Sequence, residues 1–309
     1  MIRSRVHSGF DVWGRVSLMA TLGSLAACMG LASAGETPQP PIDPPAGYVW
    51  VLNEQYSDEF DGNALDRSKW NDYYDGWKGR PPGLFVPEAI RVADGMLQIS
   101  STILDPPQED GKWTIACGAI QSVQPGAFHG YYETRVKASS VATSTTFWLK
   151  RSFPNDSEFG SHSTELDILE CIGNAQRWAG FATAMHSNSH VAYYEKLDDE
   201  GEPLVFKTPN AAPLPEGDRV NTDFHVYGCW WENATTAHFY LNGEHVHTME
   251  MANNIDPTPF DRPLYLNAVC ETYSWEHPPK PENLQDPRKN TTQYDYIRSW
   301  TLEKADGLD

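Results

Sequence analysis

Positive charge is what this sequence has least of. Against 42 aspartates and glutamates stand 23 lysines and arginines, a formal net charge of -19 over 309 residues. That balance argues against nucleic acid or an anionic membrane as the main partner, and at long range it would repel a densely sulfated polymer. Beyond the first forty residues there is no apolar run long enough for a membrane-spanning helix, no sustained helical period and no internal repeat. Cysteine is also scarce. Past residue 34 only Cys117, Cys171, Cys229 and Cys270 remain, spaced too widely for a zinc site. Each sits in an apolar or aromatic run, where a disulfide and a buried thiol are both open readings. Aromatic residues, by contrast, are plentiful, with 11 Trp and 14 Tyr. Their ring faces fill cores and also suit the apolar faces of sugars.

The N-terminus reads as an export signal. Arg3, Arg5 and Arg15 lead into "VSLMATLGSLAACMGLA", which ends in "ASA" before Gly35, so cleavage after Ala34 is the simplest reading and the protein is expected outside the cytoplasm, extracellular or periplasmic. The same run contains "LAAC", residues 25–28, similar to a lipobox that would make Cys28 a lipid-carrying N-terminus. Residues 35–47, rich in proline, read as an extended linker.

From residue 48 the chain becomes a series of short β-branched or aromatic runs punctuated by Gly, Pro, Asn and Asp, among them "GMLQISST", "GYYETRVKA", "TTFWLK" and "PLYLNAV". "YLNGEHV" is the clearest local signal, an Asn242-Gly243 turn between two strands. So many strands in one domain predict an all-β, two-sheet antiparallel sandwich or jelly roll over residues 48–303, with 304–309 as a tail. A monomer is expected.

Within this pattern, "STELDILECIG", residues 163–173, threads Glu165, Asp167 and Glu170 through Leu166, Ile168 and Leu169. In a strand, Glu165 and Asp167 share one face and the leucine and isoleucine point to the other. Strict alternation would send Glu170 into the core. A bulge at Ile168 or Leu169 resets the phase and returns it to the face of Glu165. Three carboxylates crowded on one face raise one another's pKa values, a poor structural device but a useful chemical one. Retaining glycosidases need a nucleophilic carboxylate and a protonated carboxyl ~5–5.5 Å apart.

Here the residues carry a resemblance. "ELDILE" is similar to the Glu-x-Asp-x-x-Glu signature of family-16 glycoside hydrolases, in the branch with the bulge residue. "SDEFDG" at 57–62, "LDRSKWN" at 65–71, "VADGMLQI" at 92–99, "FHVYGCWWENATTAHFYLNGEHV" at 224–246 and "DPRKNTTQYDYIRSW" at 286–300 resemble that family in order and spacing. The resemblance implies a β-jelly roll with a concave cleft, Glu165 as nucleophile, Asp167 tuning it, and Glu170 as acid/base. "WNDYYDGWKGRPPGLF", "NAVCETYSW" and the C-terminal motif look like the marine-galactan branch, most similar to β-agarases. An agar-type galactan is therefore the expected polysaccharide partner. Porphyranase, κ-carrageenase, β-glucanase or laminarinase, transglycosylase and non-catalytic lectin remain as alternatives.

The resemblance further implies Trp77 and Trp148 as sugar-stacking platforms, and His186 and Glu271 as hydroxyl-binding groups. No cofactor is expected for catalysis. A structural calcium near Glu59, the Gly95 carbonyl and Asp295 is the one ion the resemblance implies. "LKRSFPNDSEFGSHST", residues 149–164, is longer than expected in agarases, which predicts a changed loop beside the cleft. Lys150 and Arg151 in it read as a solvated basic pair, with sulfate recognition as the alternative.

Overall fold

The computed structural model describes residues 37–305, apart from residue 156. The proposed signal peptide, Cys28 and the last four residues lie outside the described residues. Two sheets dominate, of eight and eleven strands among the described residues, antiparallel except where Gly83–Phe85 runs parallel to Trp113–Ser122. The eight-stranded outer sheet runs in the order Glu244–Glu250, Thr236–Leu241, His225–Trp231, Gly130–Lys137, Thr291–Lys304, Met96–Ser100, Ile90–Ala93, with Tyr48–Leu52 alongside Thr291–Lys304. The inner sheet places His162–Ile172, which carries the three carboxylates, between Ala184–Leu197 and Ser144–Phe153, followed by Tyr265–Cys270 and Trp113–Ser122. This is the expected all-β jelly roll.

Alternation decides what lies between the sheets. In Gly130–Lys137, Tyr132 and Val136 enter the main core while Tyr131 joins a second cluster with Trp50, Tyr240 and Trp300. In the inner sheet Phe147, Leu149, Leu166, Ile168 and Leu169 are fully buried in the main core. Each such side chain contributes about 1.5–3 kcal/mol over an exposed one, so the apolar half of the carboxylate strand anchors the polar half. The Asn242-Gly243 turn forms as read: φ is 51° and 84°, the left-handed pair that a two-residue hairpin needs.

Two expectations change. From Pro38 the proline-rich stretch belongs to the same compact unit as the sandwich rather than acting as a linker. The Trp300 indole N–H donates to the Pro38 carbonyl at 2.8 Å and that of Trp50 to Ile42 at 3.0 Å. The second aromatic cluster needs cover and its indoles need acceptors, both of which an extended chain with unpaired carbonyls supplies. Residues 149–164 are mostly not a loop either. Ser144–Phe153 and His162–Ile172 pair across them to Phe153↔His162, leaving a connection of 154–161. The four cysteines among the described residues, Cys117, Cys171, Cys229 and Cys270, are buried free thiols.

Candidate active site

The carboxylate strand contains the bulge that its spacing requires. Toward Ser144–Phe153 the register passes from Asp167↔Trp148 to Leu169↔Phe147, so Ile168 is the extra residue. Ile168 and Leu169 both pack into the core, and Glu165, Asp167 and Glu170 all line one cleft of about 1500 Å³ on the inner sheet.

Within it each carboxylate has a different environment. Lys150, directly opposite Glu165 in register, brings its ammonium to 2.6 Å from Glu165 Oε2. Burial works against that ammonium, but the charge and hydrogen bond of Glu165 outweigh it and hold the Lys150 pKa above its ordinary value. On the other side His190, also opposite Glu165, sits 3.9 Å from Glu165 Oε1 and 3.3 Å from Asp167 Oδ2. Burial keeps this imidazole below its usual pKa. Asp167 is nearly inaccessible, and burial first, then the charge of Glu165, push its carboxyl well above the usual carboxylate range.

Glu170 accepts one hydrogen bond, from the Tyr273 hydroxyl at 2.8 Å. Burial and then the Asp167 charge push its pKa to about 7, with the tyrosine bond opposing. The arrangement can therefore present a carboxyl that keeps its proton to near-neutral pH beside a carboxylate paired with an ammonium. That is the complement an acid and a nucleophile need.

The predicted binding residues divide. Trp77 lines the cleft, half-buried, edge-on to Tyr74 and Phe85. Trp148 also reaches the cleft but is only 7% exposed, and Tyr74 stacks over it at 5.5 Å and 14°. Its ring face is thus occupied by protein, which corrects its reading as an open platform. His186 lies opposite Glu170 in register, yet its ring stacks on Phe181 at 3.8 Å and it is not part of the cleft lining. Phe181 stands where His186 was expected. Glu271 does line the cleft, 5% exposed, with Arg80 Nε 3.5 Å from Oε2, and burial pushes its pKa to about 8.

Sequence reasoning missed Tyr273, His190, Trp178 and Trp275, all in the lining. His190 needed the strand register. Trp178 stands in "NAQRWAG", which has no alternation to read. Lys150 and Arg151 also line the cleft, and Lys150 is an ion-pair partner rather than a solvated base.

The calcium residues lie elsewhere and do not fit a cation site. Both oxygens of Glu59 accept from Arg298, at 2.7 and 2.8 Å, and Asp295 Oδ2 accepts from Arg135 at 2.7 Å. Each carboxylate is already neutralised by a guanidinium. Among the described residues, the group of atoms close enough to share a metal is Glu165, Asp167 and His190, where Lys150 supplies a positive charge.

A two-sheet jelly roll with this bulged carboxylate strand in its concave face is the framework of a glycoside hydrolase. The sequence model described as the GH16 domain of β-porphyranases A–D matches residues 50–302. The chain belongs to glycoside hydrolase family 16, in its marine-galactan branch. It is 43% identical over 263 residues to β-porphyranase E of Zobellia galactanivorans, covering 85% of this chain and 91% of that protein. The crystal structure of a β-porphyranase from the gut bacterium Bacteroides plebeius superposes with a TM-score of 0.76 and 36% identity over 86% of this chain and 96% of that one. The extracellular agarase of Streptomyces coelicolor is 28% identical, over 93% of this chain and 96% of that protein. Similarity to porphyranases thus exceeds similarity to agarases, which corrects the expected order within the branch.

Proposed function

We propose that this protein is a secreted retaining endo-hydrolase of a porphyran-type sulfated galactan. The observation that carries the reading is the match of residues 50–302 to the β-porphyranase domain, and it replaces the agar-type substrate expected from sequence. Glu165 attacks the anomeric carbon, oriented by Lys150 and by the Asp167–His190 pair. Glu170 protonates the departing oxygen and then, as the base, activates water. Overall negative charge does not oppose a sulfated chain here. Sulfate is screened from carboxylates that lie farther away than a Debye length of ~8 Å, while Arg80, Arg151 and Lys207 stand in the cleft wall.

The test is reducing-end release from porphyran, agarose and κ-carrageenan, with the anomeric form of the first product followed by NMR. Porphyran cut fastest, with retained configuration, is the expected result. Activity on agarose alone would reject the substrate, and an inverted product would reject the double displacement.

A further inference from the structure

Trp178 is the most exposed large aromatic lining the cleft, 60% accessible, and no ring among the described residues packs on it. It stands on the loop that leaves the carboxylate strand, immediately before the short 3-10 turn Ala179–Ala182. An indole this exposed can stack on a sugar, but only if the loop holds it still.

The loop is held by one carboxylate. Glu276, 5% exposed, follows the strand Tyr265–Cys270, which is separated from the carboxylate strand by Ser144–Phe153. Its Oε2 accepts from the Gln176 N–H at 3.2 Å, both its oxygens accept from the Arg177 N–H at 3.2 and 3.1 Å, and Oε1 accepts from its own neighbour His277 at 2.7 Å. No lysine or arginine side chain pairs with it among the described residues. A buried charge satisfied wholly by backbone N–H groups is a fixed point for the chain that supplies them. Burial alone would raise its pKa, but these bonds outweigh burial and hold it below the ordinary carboxylate value, so the clamp stays charged at neutral pH. Arg177 adds weaker ties to the same turn, Nη1 to the Trp275 carbonyl at 3.5 Å and Nε to His277 at 3.4 Å.

We propose that Glu276 is a positioning residue that locks the 174–178 loop against the 273–277 turn, so that Trp178 serves as a sugar-stacking platform at the edge of the cleft. The proposal rests on the reading of the cleft as the binding site of a galactan chain. Glu276 contacts neither substrate nor the reacting carboxylates. It acts on binding through Trp178.

The test is a double-mutant cycle on whichever galactan the wild-type enzyme cuts fastest. A substrate other than porphyran would therefore overturn the previous reading and still leave this one tested. Trp178→Ala should raise KM about tenfold with kcat within about twofold, and Trp178→Phe should recover part of the loss. Glu276→Gln puts an amide where the N–H donors converge and should raise KM about fivefold alone, but less than about twofold in the Trp178→Ala background. Effects that multiply independently, or a Glu276→Gln loss that falls on kcat alongside melting temperature, would overturn the proposal. If Glu276→Gln does not fold, Glu276→Asp carries the same cycle.

Discussion

Two glutamates in this protein accept hydrogen bonds from tyrosine hydroxyls, and only one of them is poised for chemistry. On the outer sheet Glu133 is 6% exposed, and both of its oxygens are taken, one by the Tyr296 hydroxyl at 2.8 Å and the other by that of Tyr131 at 3.2 Å. In the cleft Glu170 has a bond at one oxygen, from Tyr273, and lines an open space shared with Asp167 and Glu165. Burial raises both pKa values. What separates them is the unsatisfied oxygen and the room beside it. A carboxyl saturated by fixed hydroxyls is a structural joint, whereas one with a free oxygen facing a cleft can hand over its proton.

The sharpest way to break this comparison is to neutralise both. Glu170→Gln, and equally Glu165→Gln, should reduce turnover on the order of 10³-fold while leaving the fold intact. Glu133→Gln should leave turnover within about twofold. Reducing-end assays of the three variants against porphyran check this, and an inactive Glu133→Gln enzyme would erase the distinction.

A smaller effect separates the tyrosines. The ionisation of Glu170 near pH 7 predicts that kcat/KM falls as pH rises past about 7, because the acid is lost. Tyr273 donates to the ionised form and so lowers that pKa. Tyr273→Phe should therefore move the alkaline limb upward, measurable as a shift of the pH–rate profile. Tyr296→Phe should leave the profile in place.

Stability should respond to pH through the cleft more than through the joint. Glu170 and Glu271 titrate near 7 and 8 in the fold against an ordinary 4.5, so the folded state binds their protons more tightly. Their contribution is complete below the unfolded value and is lost as pH climbs through about 8. Melting temperature is expected to fall between pH 5 and pH 8, and to fall less in a Glu170→Gln, Glu271→Gln double variant. The smallest change belongs to the joint itself. Tyr296→Phe should cost about 1–2 kcal/mol in urea unfolding, with activity retained.

Much of this was legible in the chain. The alternation through residues 163–173 required a bulge if Glu170 was to share a face with Glu165, and the structure puts it at Ile168, one of the two positions that spacing allowed. The turn at Asn242-Gly243 followed from local backbone preference alone. The resemblance put a platform at Trp148 and a hydroxyl reader at His186, and there the structure differs: Tyr74 arrives from a distant segment to cover Trp148, and Phe181, on the turn just before the strand of His186, folds back over the imidazole. The pairing of Glu59 with Arg298 and of Asp295 with Arg135 was equally illegible, because each joins segments far apart in sequence.

What the sequence by itself determined is therefore everything with a local period: the strands, their inward faces, the bulge and the turn. Those depend on side-chain alternation and backbone conformation, which are properties of neighbours in the chain. Only the tertiary structure decided which charges meet. It set Lys150 and His190 on either side of Glu165, turned proline-rich residues into a strap over Trp50 and Trp300, and joined Glu276 to the loop of Trp178. Such pairings are fixed by strand register and loop closure between residues far apart in sequence, and electrostatic interactions act through space rather than along the chain.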